Sequence, residues 1–306
     1  MLRVSLWLCA FASVTGFCAE APSGDSVIRA AAGGSEIVIS TTARLAGAID
    51  SLSWNGREFI NSTDHGRQLQ SASNLDSGTP ILNETYNPTE AGCERDGAGP
   101  VSSSRLLHLV ATGNALQTTS QMAFWLRPGG KSGGQLAKNN TVLSNHLLTK
   151  RVRIGYKEMP GVISYDVTFG LPIGERHNEA VFEALTGYMP TEFSRFLQFN
   201  AQSGELEPLS EGPGEIGRPV VLSVPGGSHA MGIYSPPQNS PATSGPTYGR
   251  FNFDSAKVVK WNCVFRIREK DGIAPGDYPF RMFVIVGDLA TVTGSLRTLH
   301  REFGSH

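Results

Sequence analysis

Apolar and polar residues alternate along most of this chain with a period of two. Over residues 162–169, Ile163, Tyr165, Val167 and Phe169 stand on one side and Ser164, Asp166 and Thr168 on the other, the signature of a half-buried strand. Residues 149–156 repeat it, with Val152, Ile154 and Tyr156 opposite Arg151 and Arg153. Ile37 and Ile39 alternate with polar neighbours from Ser35 onward. A strand over 48–54 runs into Trp54-Asn55-Gly56-Arg57, where Asn-Gly favours a type I′ hairpin turn, with 58–61 as the return strand. Further strands are predicted over 104–111, 117–126, 180–185, 220–224, 229–234, 258–267 and 278–287. Residues 128–140, 202–218 and 235–249 read as irregular loops. Helical spacing is sustained only over 289–303, where Leu296, Leu299 and Phe303 share a side; a turn or two capped by Thr191 is predicted within 191–199. Many strands without βαβ alternation predict an all-β fold, a large two-sheet antiparallel β-sandwich closed by a C-terminal helix. No fixed repeat period is present, which argues against a propeller.

Composition narrows the partners. The chain has 306 residues, a net charge of −1 and only 17% charged residues, with no basic block, so nucleic acid and anionic membrane are excluded as expected partners. Its 35 glycines and 18 prolines suit short strands and tight turns. Arg3, the apolar run 4–14 and the small residues Ala19 and Ala21 read as a secretory signal peptide over 1–21, cut after Ala19 or Ala21. The run is too short for a membrane span, which needs roughly 20 apolar residues. Export to the periplasm or beyond is therefore expected; a lipoprotein anchor at Cys18 is the alternative, although Phe17 makes a poor lipobox. Residues 22–34 read as a tail or linker and 35–306 as a single domain. Of the cysteines left after export, Cys93 and Cys263 either form a disulfide or stay as separate thiols, Cys263 buried in a strand.

Candidate chemistry gathers in residues 51–70 and 83–92, which supply Asp64, His65, Arg67, Gln68, Tyr86, Asn87 and Glu90 within forty residues. Asp64 beside His65 would orient the imidazole as a proton-transfer group; the alternative is an exposed loop histidine. Arg67 would grip a sugar oxygen or a uronate carboxylate, or else pin its own loop. Pro88 confines Asn87 to extended backbone, fixing Tyr86, Asn87 and Glu90 relative to one another, with Glu90 as acid or base or else part of a turn. Glu183 lies among Val181, Phe182, Ala184 and Leu185; unpartnered, its carboxyl would be raised into the range of a general acid, whereas pairing with Arg151 or Arg153 would make it structural. His146 is a further candidate, while His108, His177, His229 and His300 read as structural or exposed. Trp54, Trp125 and Trp261 are assigned to the core, with stacking on a sugar face as the alternative for one of them. No metal-ligand spacing, calcium loop, phosphate loop, dinucleotide fingerprint or GxSxG elbow is present, so no metal and no cofactor is expected.

The segment Ala46-Gly47-Ala48-Ile49-Asp50-Ser51-Leu52-Ser53-Trp54-Asn55-Gly56-Arg57-Glu58, followed by His65-Gly66-Arg67, resembles the opening hairpin of galactose-mutarotase-like (aldose 1-epimerase-type) β-supersandwich proteins. The strand over 162–169 leading into Phe182-Glu183-Ala184-Leu185-Thr186-Gly187-Tyr188 resembles their midpoint. Those mutarotases carry a histidine at the midpoint and a late glutamate; this chain offers Glu183 and Tyr188 there and no histidine. The resemblance implies a supersandwich that serves epimerases, polysaccharide lyases and hydrolases alike, so fold does not select the reaction. The combined reading is an exported, carbohydrate-directed protein working by cofactor-free acid/base chemistry. His65, Glu90 and Glu183 would move protons, and Arg67, Gln68, Tyr86, Asn87, Arg151 and Tyr188 would bind substrate. The competing class is a non-catalytic carbohydrate-binding module.

Overall fold

A computed structural model describes residues 22–78, 80–82, 84–238 and 243–304. The expected signal peptide, and Asn83 in the second polar stretch, lie outside the described residues. The strands pair antiparallel throughout and form two broad layers. One layer runs, neighbour to neighbour, through Arg105–Thr112, Ala115–Phe124, Leu143–Tyr156, Met159–Leu171, Gly276–Gly287, Ala230–Tyr234, Val220–Ser223, Arg195–Asn200 and Glu205–Pro208. The other runs through Ser26–Ala32, Ser35–Thr41, Ile49–Trp54, Leu69–Leu75, Glu179–Pro190, Val258–Arg268, Thr243–Phe253 and Gly214–Ile216. The two-residue strand Pro88–Thr89 ties them together, Thr89 standing opposite Ala72 of one and Ala123 of the other.

Alternation explains why the layers stack. The inward set of Glu179–Pro190 includes Ala180, Phe182 and Met189, and that of Val258–Arg268 is Val259, Trp261, Cys263, Phe265 and Ile267. These meet Tyr165, Val167, Phe169, Phe280, Met282 and Val284 from the opposite layer. Phe169 and Phe182 approach to 4.8 Å between ring centroids, and Phe265 and Phe280 to 4.5 Å, so aromatic pairs bridge the sandwich. Gly187 is required here: a Cβ would stand 2.5 Å from the Trp261 indole. The all-β sandwich with a C-terminal helix is thus the observed fold.

Leu289–Phe303 is that helix, over the residues its spacing predicts. Val292, Leu296 and Leu299 pack on Val162, Phe283 and Ile285, on the side of their layer away from the main core. Each fully buried side chain of this size stabilises by roughly 1.5–3 kcal/mol as an upper estimate. Asp288 caps the helix, its carboxylate accepting from the Thr291 N–H at 2.7 Å. That hydrogen bond holds the Asp288 carboxyl below its ordinary range. Asp288→Ala is expected to cost about 1 kcal/mol of unfolding free energy. A depressed folded-state value means the contribution is present above the unfolded carboxyl's range and is lost as pH falls through the folded one. Wild type and variant should therefore converge in acid titrations of urea unfolding.

Several local expectations change. Residues 22–34 are not a tail: Ser26–Ala32 pairs along its whole length with Ser35–Thr41. The 191–199 segment makes a turn and then a strand, Arg195–Asn200, because Val220–Ser223 supplies an open edge for it. Strands Glu205–Pro208, Gly214–Ile216 and Thr243–Phe253 occupy parts of the expected loops, and a small hairpin, Lys131–Ser132 with Gln135–Leu136, sits within 128–140. The Asn-Gly turn forms with Asn55 and Gly56 at φ 49° and 74°, but its return strand is only Arg57–Glu58. Cys93 and Cys263 are both buried and unbridged, the separate-thiol alternative. Among the described residues, no helix is long and apolar enough to cross a membrane.

Candidate active site

The strand Glu179–Pro190 departs from strict alternation at one place. Glu183 stands opposite Val264 and Leu185 opposite Cys263, so two steps on this strand answer one on its neighbour. Against the other neighbour, Glu183 faces Ala72 and Thr186 faces Gln70, three steps against two. The extra residue is a β-bulge, and its effect is to reset the face on which later side chains emerge. Glu183, Thr186 and Tyr188 therefore share one surface, which plain alternation would deny to Glu183 and Thr186 together. The surface is the one turned away from the main core. Lys260 and Asn262 join it from Val258–Arg268, and Gln70, Ala72 and Asn74 from Leu69–Leu75.

All of these but Asn262, which lies behind Glu183 as a hydrogen-bond partner, floor a polar cleft of about 90 Å³, walled by Trp125, Asn87, Thr89 and Glu84. Gly66 forms part of the wall for a steric reason: a Cβ there would lie 2.7 Å from the Trp125 ring, so glycine lets the indole lie against the backbone. Glu183 Oε2 accepts from Lys260 Nζ at 3.0 Å and from Thr186 Oγ1 at 2.8 Å. Lys260 Nζ also stands 5.1 Å from the Tyr188 ring centre and 5.2 Å from that of Phe251, a doubly aromatic seat for the cation. Glu183 keeps 31% of its side-chain surface open, enough for a ligand to reach it.

Electrostatics assign protonation states. Burial works to raise the Glu183 carboxyl, but the Lys260 charge and the hydrogen bonds from Lys260, Thr186 and Asn262 outweigh it and hold the group below the usual carboxylate range. Burial works to lower the Lys260 ammonium, yet the neighbouring Glu183 and Tyr188 raise it overall. Burial also raises the Tyr188 phenol against the opposing influence of Lys260. At neutral pH the cleft thus presents a carboxylate, an ammonium and an intact phenol. This corrects the expectation of a raised, unpartnered Glu183 acting as general acid: its partner is Lys260, and neither Arg151 nor Arg153 reaches it.

The residues singled out from sequence divide among separate places. Glu183, Tyr188 and Asn87 line the cleft. His65 does not: it is buried, with Nδ1 and Nε2 facing the carbonyl oxygens of Gly97 and Arg44 at 2.7 and 2.8 Å. Glu90 is inside the fold, paired with the fully buried Lys150 and accepting from the Ser71 N–H at 3.1 Å. Arg67 pairs with Asp64 at 3.1 Å and donates to the Ala256 carbonyl at 2.9 Å, pinning its own loop. Gln68 is buried and donates to the Asp64 carbonyl. Arg151 lies on the other layer, beside a cavity of about 380 Å³ that also touches Val110, Ser164 and Asp166. Tyr86 turns away from the cleft and donates to Glu175 Oε2 at 2.8 Å. The convergence of His65, Arg67 and Glu90 on Glu183 is therefore not what the fold provides; the carbonyls and Lys150 hold the first and last inside. Of the tryptophans, Trp261 is fully buried, while Trp125 faces the cleft.

Sequence reasoning passed over Lys260, Asn262, Thr186, Gln70 and Asn74. The signal for the first two is legible afterwards. In Val258-Val259-Lys260-Trp261-Asn262-Cys263-Val264-Phe265, polar residues at 260 and 262 alternate with Trp261, Cys263 and Phe265, marking a polar face on an otherwise apolar strand.

No protein-family model matches the chain, and no curated protein does. Solved structures do. An α-mannosidase from Enterococcus faecalis aligns with TM-score 0.51 and 9% identity, over 93% of this chain and 31% of that one. An α-galactosidase from Lactobacillus brevis aligns at 0.47 and 11%, over 92% of this chain and 42% of that one. A heparan sulfate lyase mutant from Pedobacter heparinus aligns at 0.43 and 11%, over 87% and 35%. The chain thus spans between three and five tenths of the length of each of these three enzymes. The mannosidase alignment shows that this chain, an antiparallel β-sandwich, shares its fold with part of that enzyme.

Proposed function

We propose that this protein acts on a carbohydrate by cofactor-free proton transfer in the cleft over the bulged strand. The observation that carries the reading is the Glu183–Lys260–Tyr188 group, set by a bulge on an exposed sheet face beside an indole. Asn87, Gln70 and Asn74 supply amide groups for sugar hydroxyls, and Trp125 offers an apolar face for the ring's C–H surface. In mechanism, the Glu183 carboxylate takes a proton from a sugar hydroxyl, from an acidic C–H or, for hydrolysis, from the attacking water. Lys260 balances the negative charge that develops, and the Tyr188 phenol donates to the departing or ring oxygen. Sharing its fold with an α-mannosidase domain supports the substrate class and leaves the reaction open among epimerisation, elimination and hydrolysis. The N-terminal pattern of residues 1–21 supports export.

A sugar panel tests this. Polarimetry on free aldoses reads anomer interconversion, ultraviolet absorbance on uronate polymers reads unsaturated products, and reducing-end release reads hydrolysis. Turnover in one arm, lost in Glu183→Gln, is the expected result. Saturable sugar binding weakened by Glu183→Gln, with no turnover in any arm, would replace the proposal by a binding module.

A further inference from the structure

Outside the cleft, three side chains with metal-binding atoms meet, one of them 29 residues away from its nearest partner in sequence. His146 comes from the strand Leu143–Tyr156, and Glu175 and His177 from the turn that joins Met159–Leu171 to Glu179–Pro190. Their ligand atoms all lie within 4.8 Å of one another, with His146 Nε2 at 2.8 Å and His177 Nε2 at 3.1 Å from Glu175 Oε2. His146 and His177 are buried.

We propose that His146, Glu175 and His177 bind a divalent first-row transition metal, with Zn²⁺ as the defining probe. Three features carry this. The donor set, two imidazoles and a carboxylate, suits Zn²⁺ and its neighbours in the series. The orientation is that of ligands: His177 Nδ1–H donates to the Asp76 carbonyl, so the Nε2 that faces Glu175 is the nitrogen that would give up its proton and turn its lone pair to an ion. The carboxylate is held too, since the Tyr86 hydroxyl donates to the same Glu175 oxygen at 2.8 Å. A tetrahedral ion with bonds of about 2.0–2.1 Å separates its ligand atoms by roughly 3.4 Å. The two His–Glu spacings, 2.8 and 3.1 Å, are a little shorter than that figure and no pair of ligand atoms is more than 4.8 Å apart, so loading needs only small side-chain shifts.

The position gives the ion a task. Asp76 accepts from the Asn178 and Glu179 N–H groups at 2.9 and 3.0 Å, so the turn is already clamped to the end of Leu69–Leu75. A metal would replace the His146–Glu175 hydrogen bond, which already ties this turn to Leu143–Tyr156, by a coordinate link. Tyr86, which packs on the Phe124 ring at 4.6 Å and bonds Glu175, immediately precedes Asn87 of the cleft wall. The ion is thus a structural staple that holds the wall of the cleft from behind.

The test uses untagged, chelator-stripped protein dialysed against buffered Zn²⁺, with metal content measured by mass spectrometry. Wild type is expected to take up one equivalent, and His146→Gln and His177→Gln to bind about tenfold or more weakly. His108→Gln, an exposed position, should bind like wild type. Because a variant can fail to fold, Co²⁺ substitution of the wild type gives an independent reading. Visible d–d bands of tetrahedral strength, together with a rise in melting temperature on loading, support the site. Wild type that is folded yet shows neither uptake nor these bands overturns the proposal, as does uptake that persists undiminished in both histidine variants. None of these outcomes depends on sugar turnover, so the proposal stands or falls apart from the carbohydrate reading.

Discussion

Lys150→Met should be among the most destabilising single substitutions this protein can carry, at about 3–5 kcal/mol. Lys150 is fully buried, and its ammonium has two partners, the Glu90 carboxylate and the Gly47 carbonyl at 3.0 Å. Removing it leaves the Glu90 charge inside the sandwich with the Ser71 N–H as its remaining hydrogen-bond donor among the described residues. Against a total of roughly 5–15 kcal/mol for a typical domain, such a loss takes away a large share of the stability. The partner experiment sharpens the claim. The double change Lys150→Met with Glu90→Gln removes both charges, and it should recover much of what the single change loses, since a buried pair costs most when one member is left behind. Urea unfolding of the two singles and the double gives the coupling directly. A single variant within about 1 kcal/mol of wild type, or a double variant as unstable as the sum of the singles, contradicts this account.

That pair also shows why sequence led to the right fold and to only part of the cleft. Period-two alternation is a local property, so Met159–Leu171, Val258–Arg268 and the helix Leu289–Phe303 were legible from their own residues. Glu90 and Lys150 are sixty positions apart, and nothing local to Tyr86-Asn87-Pro88-Thr89-Glu90 distinguishes a carboxylate facing a cleft from one facing a lysine in the core. The same is true of His65, whose ring is occupied by the carbonyls of Gly97 and Arg44. The strand edges that recruited Arg195–Asn200 and Ser26–Ala32 are likewise tertiary facts. The bulge at Glu183 is subtler. An apolar stretch such as Phe182-Glu183-Ala184-Leu185 reads as strand whether or not it contains an extra residue, but that residue decides which side chains reach solvent together. The metal cluster was hidden for the same reason, because spacing rules detect ligands on one element and these come from two.

Glu183→Gln should lower turnover of whatever sugar the panel identifies by about 10²–10⁴-fold, the usual worth of a positioned proton-transfer group. Binding should change far less, because an amide keeps the shape and the hydrogen bond from Thr186. The pH profile then separates a proton acceptor from a side chain that merely shapes the cleft. Glu183 has a depressed carboxyl in the folded protein, so it is ionised across neutral pH, and kcat/KM should fall only as pH drops through a value below the ordinary glutamate range of about 4.3. Lys260→Met reverses the balance that sets this value. With the ammonium gone, the lowering influence of its charge and hydrogen bond disappears and the burial influence is left less opposed, so the carboxyl moves up and the acid limb must shift toward neutral pH. The Tyr188 phenol sits between the same two charges, and loss of Lys260 removes the influence that lowers it, so the alkaline limb should also move up where Tyr188 supplies the proton. An acid limb that stays in place in Lys260→Met would mean that the titrating carboxyl lies elsewhere, and with it the proton-transfer role assigned to the bulged strand.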